Sequence, residues 1–70
     1  MTKVMLIEAL PARFSMNPKE FIGNKHFNRK YKVGDVLEAE VHAKWISITI
    51  THRDTVYTLI HNRHYFKVLD

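Results

Sequence analysis

Histidine is the residue type with the clearest capacity for chemistry in this sequence, which has five histidines among 70 residues. His61 and His64 are three positions apart, and His52 can approach them across a predicted hairpin. A zinc site needs three or four ligands held by supporting hydrogen bonds. The sequence has no cysteine, and no adjacent carboxylate completes the set. We therefore expect no metal site and no cofactor, and we interpret His61 and His64 as surface residues beside Arg63.

Two glutamates and two serines are the remaining candidates for catalysis. Glu38 and Glu40 share one face of a predicted strand, but a carboxylate pair acts as acid and base only where the surroundings raise the pKa of one member. An exposed strand face does not provide such surroundings. Ser15 and Ser47 lie in no nucleophile motif, and two glycines are too few for a phosphate-binding loop. We expect a protein that is not an enzyme and has no small-molecule substrate.

The positive charge is concentrated in one segment, residues 13–32. This segment has six basic residues and Glu20 as its one acid, a local charge of +5, whereas the whole chain carries +4. The six basic residues are Arg13, Lys19, Lys25, Arg29, Lys30 and Lys32. Such a segment favours encounters with anions, which are nucleic acid, an acidic protein surface or anionic lipid. The alternative is a solubilising loop without a ligand.

Aromatic and basic residues also accompany the predicted strands. They are Trp45, Tyr57 and Tyr65, with Arg53 and Arg63. Aromatic rings beside a cationic groove can hold single-stranded nucleic acid by base stacking. The alternative for Trp45 is half-buried packing at the start of a strand. The sequence matches no RNA-recognition signature, and we expect no helix that could enter a nucleic-acid groove.

Alternation of apolar and polar residues predicts a β-sheet after Gly34 and Asp35. Predicted strands cover residues 3–10, 36–42, 45–51, 55–60 and 66–69. A three-residue turn, 52–54, joins the third and fourth strands. In the fourth strand, Val56 and Ile60 are expected to face the core beside Leu59. Short strands joined by tight turns are typical of a small all-β barrel.

Residues 11–33 lack this periodicity and predict a long first loop. Asn17 can cap a helix, Pro18 suits its first position, and Gly23 can end it. These residues predict a single helical turn within the loop. We expect Phe21 and Ile22 to point inward, and Phe14, Phe27 and Tyr31 to anchor the loop against the core.

The residues Lys32-Val33-Gly34-Asp35, followed by Trp45 and by Tyr65 before the last strand, resemble the SH3 barrel. In that family a long first loop precedes such a turn, a tryptophan opens the third strand, and a 3₁₀ turn ends in a tyrosine. The layout is also similar to small SH3-like proteins that bacteriophages encode. The resemblance implies an all-β, five-stranded barrel forming a single domain over residues 1–70.

The usual ligand of the family does not follow from this resemblance. SH3 domains bind proline-rich peptides through the tryptophan, the tyrosine, a proline in the 3₁₀ turn and acids in the long loop. Trp45 and Tyr65 match this pattern. The turn at residues 61–64 lacks the proline, however, and the long loop is basic. An arginine-bearing, proline-rich peptide would be repelled.

We expect a non-catalytic module that binds another protein. The bacteriophage resemblance implies that it docks on an acidic surface of a host protein, such as an enzyme or a transcription, replication or defence component, and modulates it. The alternative is a small β-barrel that binds DNA or RNA, and a third interpretation is a small structural or ribosome-associated subunit. Glu38 and Glu40 favour the protein partner, because they would place negative charge near a bound phosphate chain. The predicted contact residues are Trp45, Tyr65, Tyr57, Arg13, Lys19, Lys25, Arg29, Lys30, Lys32, Arg53 and Arg63.

No membrane segment is expected from the sequence. The apolar run at residues 4–7 ends at Glu8 and is too short for a signal sequence or a membrane span. We therefore expect a soluble protein in the cytoplasm, which would be the host cytoplasm for a bacteriophage protein.

Overall fold

The computed structural model describes residues 1–69 and contains one five-stranded antiparallel sheet with one α-helix. The elements are β1 (Thr2–Leu6), α1 (Pro18–Lys30), β2 (Val36–Val41), β3 (Trp45–His52), β4 (Thr55–Asn62) and β5 (Phe66–Val68). A 3₁₀ turn, Arg63–Tyr65, precedes β5. Residue 70 of the predicted domain lies outside the described residues.

The strands lie in the order β4-β3-β2-β1-β5, and every neighbouring pair is antiparallel. The predicted five strands are therefore confirmed. Within residues 1–69 no ladder joins β4 to β5, so these two strands are the edges of an open sheet. β1 ends at Leu6 rather than at residue 10, because Pro11 and the residues before it leave the sheet.

The loop between β3 and β4 has two residues, 53 and 54, and His52 pairs with Thr55. The predicted three-residue turn was wrong because His52 belongs to the strand. Arg53 has a φ of +55°, a left-handed conformation that fits the tight hairpin connection. Counting one residue too many in the turn shifts the expected register of β4 by one position.

This shift exchanges the two faces of β4. Tyr57, Leu59 and His61 pair with the buried isoleucines of β3, whereas Val56 and Ile60 point to the other side. The expectation that Val56 and Ile60 face the core was therefore wrong, since they are 56% and 58% exposed. We call the face that bears Leu59 the inner face and the opposite one the outer face.

The long first loop contains a helix of 13 residues rather than a single turn. Asn17 caps it as predicted, since its Oδ1 accepts a hydrogen bond from the backbone N–H of Lys19 at 3.0 Å. Gly23 does not end the helix. A Cβ atom at Gly23 would lie 2.7 Å from Cδ2 of Leu59, so the missing side chain allows α1 to pack closely on the inner face.

Two asparagines fasten the helix to its surroundings. Asn24 is fully buried; its Oδ1 accepts a hydrogen bond from Nε2 of His61 at 2.7 Å, and its Nδ2 donates to the carbonyl of Pro11 at 2.7 Å. Asn28, one turn later, binds both the N–H and the carbonyl of Leu10. The prediction that His61 lies at the surface was therefore wrong, because it is a buried partner of the helix.

The core lies between the inner face and α1. Its buried members are Val4, Leu6, Leu10, Phe27, Leu37, Ala39, Ile46, Ile48, Ile50, Leu59 and Phe66. Phe27 anchors the helical segment as expected, and it is completely buried. Phe14 does not, since 92% of its surface is exposed. Ile22, expected to point inward, is 40% exposed, and Phe21 is only partly buried. The helix therefore turns one side to the core and leaves its opposite side, with the segment before it, open to solvent.

Candidate functional site

The open side of α1 carries a ridge formed by Phe21, Lys25 and Arg29. These residues follow one another at four-residue spacing, so their side chains lie along one line of the helix. Gly23, Asn24 and Phe27 take the buried side. Nζ of Lys25 lies 5.8 Å from the ring centroid of Phe21, close enough for a cation–π contact. The ridge thus combines an aromatic ring with two exposed cations.

Phe14 extends this ridge. Its ring lies against Phe21 with a centroid separation of 4.8 Å and an angle of 31° between the planes. Almost all of Phe14 faces solvent, which is unusual for a large apolar side chain. One aromatic ring is therefore available beside the cations of the helix.

The tip of the β3–β4 hairpin meets the same side of the helix. His52 stacks on His26 of α1, with ring centroids 3.7 Å apart and planes inclined by 16°. The ring of Tyr57 lies 5.6 Å from His26 on the inner face. Arg53 and Asp54 form the turn itself, so the hairpin adds a histidine, a cation and a neighbouring carboxylate to this side of the helix.

The electrostatics of His26 show how positive this region is. Burial lowers its pKa most, and the neighbouring charges of His52, Arg29, Lys25 and Arg53 lower it further. Nδ1 of His26 is buried without a hydrogen-bond partner. Between the described residues, no lysine or arginine forms an ion pair with a carboxylate. We call Phe14, Phe21, Lys25, His26, Arg29, His52 and Arg53 the cationic face.

The other predicted basic residues surround this face without joining it closely. Arg13 precedes Phe14 and is exposed. Lys19 lies with Glu20 in a separate groove of about 310 Å³ along β4. Nζ of Lys30 lies 5.5 Å from the ring of Tyr31. Lys32 donates from Nζ to the carbonyl of Asn28 at 2.9 Å, so it also closes the end of the helix.

Trp45 lies on the outer face and is separated from the cationic face by the sheet. It is 38% exposed and stacks on His42, with ring centroids 3.6 Å apart. Nε2 of His42 in turn lies 2.8 Å from Oε1 of Glu40. Because Glu40 pairs with Ser47, this carboxylate also belongs to the outer face. Trp45 and the basic helix therefore do not form one continuous surface.

The three remaining predicted contact residues have structural partners. Nη1 of Arg63 donates to the carbonyls of His42 and Ala43 at 3.3 and 3.2 Å and braces the β2–β3 turn. Tyr65 packs against the core and meets His61 edge-on. Tyr57 lies beneath the helix, where its side chain contacts the Gly23 position. The predicted set thus divides into the cationic face, an outer patch at Trp45, and packing residues.

The histidines do not converge. His52 stacks on His26, His61 binds Asn24, and Nε2 of His64 lies 3.8 Å from Oε2 of Glu8. Among residues 1–69 no group of three histidine, cysteine or acidic side chains is arranged to hold a metal ion.

His26 and His52 were not predicted as site residues, and Phe14 was expected in the core. A signal for the helix was present, because Phe21, Lys25 and Arg29 have the four-residue spacing of one helix face. The helix was nevertheless hard to recognise in the sequence, because asparagines on its buried side weaken the apolar periodicity by which helices are recognised. For His52, a turn of two residues implies pairing with Thr55, and this pairing places the histidine ring on the inner face.

Comparisons with known proteins provide no match from which a function could be assigned, so the assignment depends on these residues. No protein-family model, no curated protein and no solved structure matches this chain. In the described part of the chain, no helix is both long enough and apolar enough to cross a membrane.

Proposed function

We propose that this protein is a non-catalytic nucleic-acid-binding protein that holds a single strand across the cationic face. The observation that carries the proposal is the pairing of an exposed aromatic ring with cations that have no carboxylate partner. Phe14 supplies the ring, which lies against Phe21, and Lys25 and Arg29 are exposed cations on the same ridge as Phe21.

The chemistry of a single strand suits this arrangement. In this proposal Lys25, Arg29 and Arg53 bind phosphates of the strand, and Phe14, which is 92% exposed, offers a ring on which a base can stack. Stacking of one base contributes about 1–3 kcal/mol and tolerates any base, because each has a flat π face. We therefore expect binding with little sequence preference.

Two features of the structure support a nucleic-acid ligand rather than a protein partner. The sequence suggested that no helix was available, but α1 presents its cations to solvent. Glu38 and Glu40 were expected near the bound phosphates, but both lie on the outer face of β2. A strand on the cationic face would be separated from both carboxylates by the sheet.

A charge-reversal experiment tests the proposal. Binding of fluorescent oligothymidylate is measured by anisotropy for the unmodified protein and for the double variant Lys25→Glu, Arg29→Glu. Three phosphate contacts give a log–log salt slope of about −2, which is roughly a twentyfold loss of affinity from 50 to 200 mM salt. The variant should bind at least tenfold more weakly, and its salt slope should fall to about −0.7.

The matched control is Lys44→Glu with Lys67→Glu, which changes the net charge equally at two exposed lysines away from α1. This control should retain most of the affinity. Phe14→Ala should weaken binding at every salt concentration without changing the slope, because stacking releases no counterions. Equal losses in the two double variants would contradict a site on the cationic face.

A protein partner remains a second proposal, supported by the outer face. Trp45, Val56 and Ile60 are exposed there and could anchor a protein surface. In this proposal the protein is a small phage-type module that docks on a host protein and modulates it. The net charge of +4 would favour the approach of an acidic surface on that protein.

Retention of a cellular protein after nuclease treatment would distinguish the second proposal. Trp45→Ala should then weaken binding by about 2 kcal/mol or more through faster dissociation, with the fold preserved. Loss of all retained protein after nuclease, with oligothymidylate binding intact, supports the first proposal instead.

The closed SH3-like barrel also stays a proposal. Its support is the five-stranded antiparallel order and the 3₁₀ turn that ends in Tyr65 before β5. A solution structure in which β4 and β5 pair would establish closure of the sheet.

A further inference from the structure

The stacked histidines lie where the helix and the hairpin meet. His52 is exposed at the end of β3, whereas His26 is half-buried between His52 and Tyr57. The two rings are nearly parallel and in van der Waals contact. Two imidazolium rings at this distance would repel each other, and the charge of His52 is one of the causes that lower the pKa of His26, after burial.

The groups that face the stack come from three elements. Lys25 and Arg29 approach from α1, Arg53 from the hairpin turn, and Tyr57 from β4. The charged groups among them disfavour a proton on His26, and so does the burial of its unpartnered Nδ1. An anion bound between the helix and the turn would offset these positive charges.

We propose that a phosphate group binds between α1 and the hairpin tip, held by Arg29, Arg53 and the exposed ring of His52, and that binding draws one proton into the histidine stack. In this proposal His26 stays neutral, and the protonated ring of His52 stacks on it. The inference deepens the proposed function, because the same face would hold the strand. The phosphate is either part of a nucleic acid or a free ion.

The direction of the pH effect follows from linkage. A ligand that binds the protonated stack more tightly must itself promote protonation, and its affinity must rise as the pH falls. If the ligand moves the titration midpoint of the stack by one pH unit, its affinity for the protonated and neutral stacks differs about tenfold. We expect oligothymidylate to bind about three- to tenfold more tightly near pH 5.5 than near pH 7.5.

Nuclear magnetic resonance of the imidazole protons provides the direct test. The titration midpoint of the stack is followed without ligand, with inorganic phosphate, and with oligothymidylate. Both ligands should move the midpoint to higher pH. A change with oligothymidylate alone assigns the phosphate to nucleic acid, and a change with inorganic phosphate alone assigns it to the free ion.

His52→Phe keeps an aromatic ring on His26 but removes the proton, so it should abolish the pH dependence of binding. The matched control is His42→Phe, which replaces the histidine of the other stacked pair, on Trp45. It should leave the pH dependence unchanged. Thermal melting of both variants establishes that they are folded, and the exposure of His52 makes its replacement tolerable.

The outcomes separate this inference from the proposed function. The phosphate site alone is overturned if oligothymidylate binding needs Lys25 and Arg29 but has the same pH dependence in His52→Phe as in the unmodified protein. Failure of oligothymidylate to bind, with a midpoint moved by inorganic phosphate, overturns the proposed function alone. A midpoint that neither ligand moves overturns the inference.

Discussion

Asn24 is the residue on which the docking of the helix most depends. Its amide links His61 of β4 to the carbonyl of Pro11, and all of Asn24 is buried. A buried polar group that loses its partner costs about 1–3 kcal/mol, because water cannot replace the lost bond. One side chain therefore fixes the helix against both the sheet and the preceding segment.

We expect Asn24→Ala to destabilise the fold by about 2–3 kcal/mol, since it leaves both His61 Nε2 and the Pro11 carbonyl without a partner. Urea denaturation measures the change. The control is Asn62→Ala, an exposed asparagine that accepts a hydrogen bond from the backbone of His64 and should cost about 1 kcal/mol or less. Equal losses would contradict the special role of Asn24.

At this scale the sequence predicted some roles and not others. The cap at Asn17 and the burial of Phe27 are local properties and were predicted correctly. His61 was assigned to the surface because nothing in its own neighbourhood reveals Asn24, which lies 37 positions earlier. Polar pairs across such distances depend on the tertiary fold, which local patterns do not contain.

Among the elements, α1 depends on Gly23 for its position. Glycine in a helix is less favourable than alanine by about 1 kcal/mol, so replacing it would normally stabilise the helix. Here the new methyl group would meet Leu59 at 2.7 Å and Tyr57 at 3.3 Å. Leu59 is 3% exposed and has little room to move.

We expect Gly23→Ala to destabilise the protein by about 1–2 kcal/mol, because overpacking exceeds the gain in helix propensity. A double-mutant cycle with Leu59→Ala, measured by denaturation, tests the cause. In the Leu59→Ala background the same glycine replacement should be neutral or stabilising. Stabilisation in the unmodified background would show that the helix can move away from the sheet.

The strands were easier to predict than the helix. β2 and β3 alternate cleanly between apolar and polar residues, and their observed bounds lie within one residue of the predicted ones. β4 has apolar residues on both faces, so alternation alone does not orient it. The length of the turn decides its register, and the one-residue error in that turn assigned the wrong pair of side chains to the core.

For the whole molecule, the topology separates two groups of residues that the sequence suggested would act together. The basic segment and Trp45 were both predicted to contact the same partner, but the sheet lies between them. The two faces also differ in charge, with unpaired cations along α1 and the glutamates of β2 on the other side. Such a distribution orients an approaching anion toward the helix.

The folded molecule should be less stable in acid. Burial lowers the pKa of both His26 and His61 below 6.5, although Glu20 partly opposes the effect at His61. The unfolded chain then binds more protons, so stability is complete above about pH 6.5 and falls as the pH drops through that value.

Thermal melts at about pH 7.5 and pH 5 should therefore show a lower Tm in acid. His26→Phe removes one of the two groups and should reduce the acid-induced loss, whereas His42→Phe should not. A Tm that does not change between these pH values would contradict the burial of both histidines.

The position of β1 between β2 and β5 has a consequence for how fast the chain folds. The β3–β4 hairpin closes a loop of two residues, whereas Val4 pairs with Leu37 and Leu6 with Phe66, sixty positions along the chain. Closing such long loops is entropically slow, and proteins rich in distant contacts fold more slowly than those with local ones. The hairpin should therefore form early in folding. The later insertion of β1 completes the sheet and should limit the folding rate.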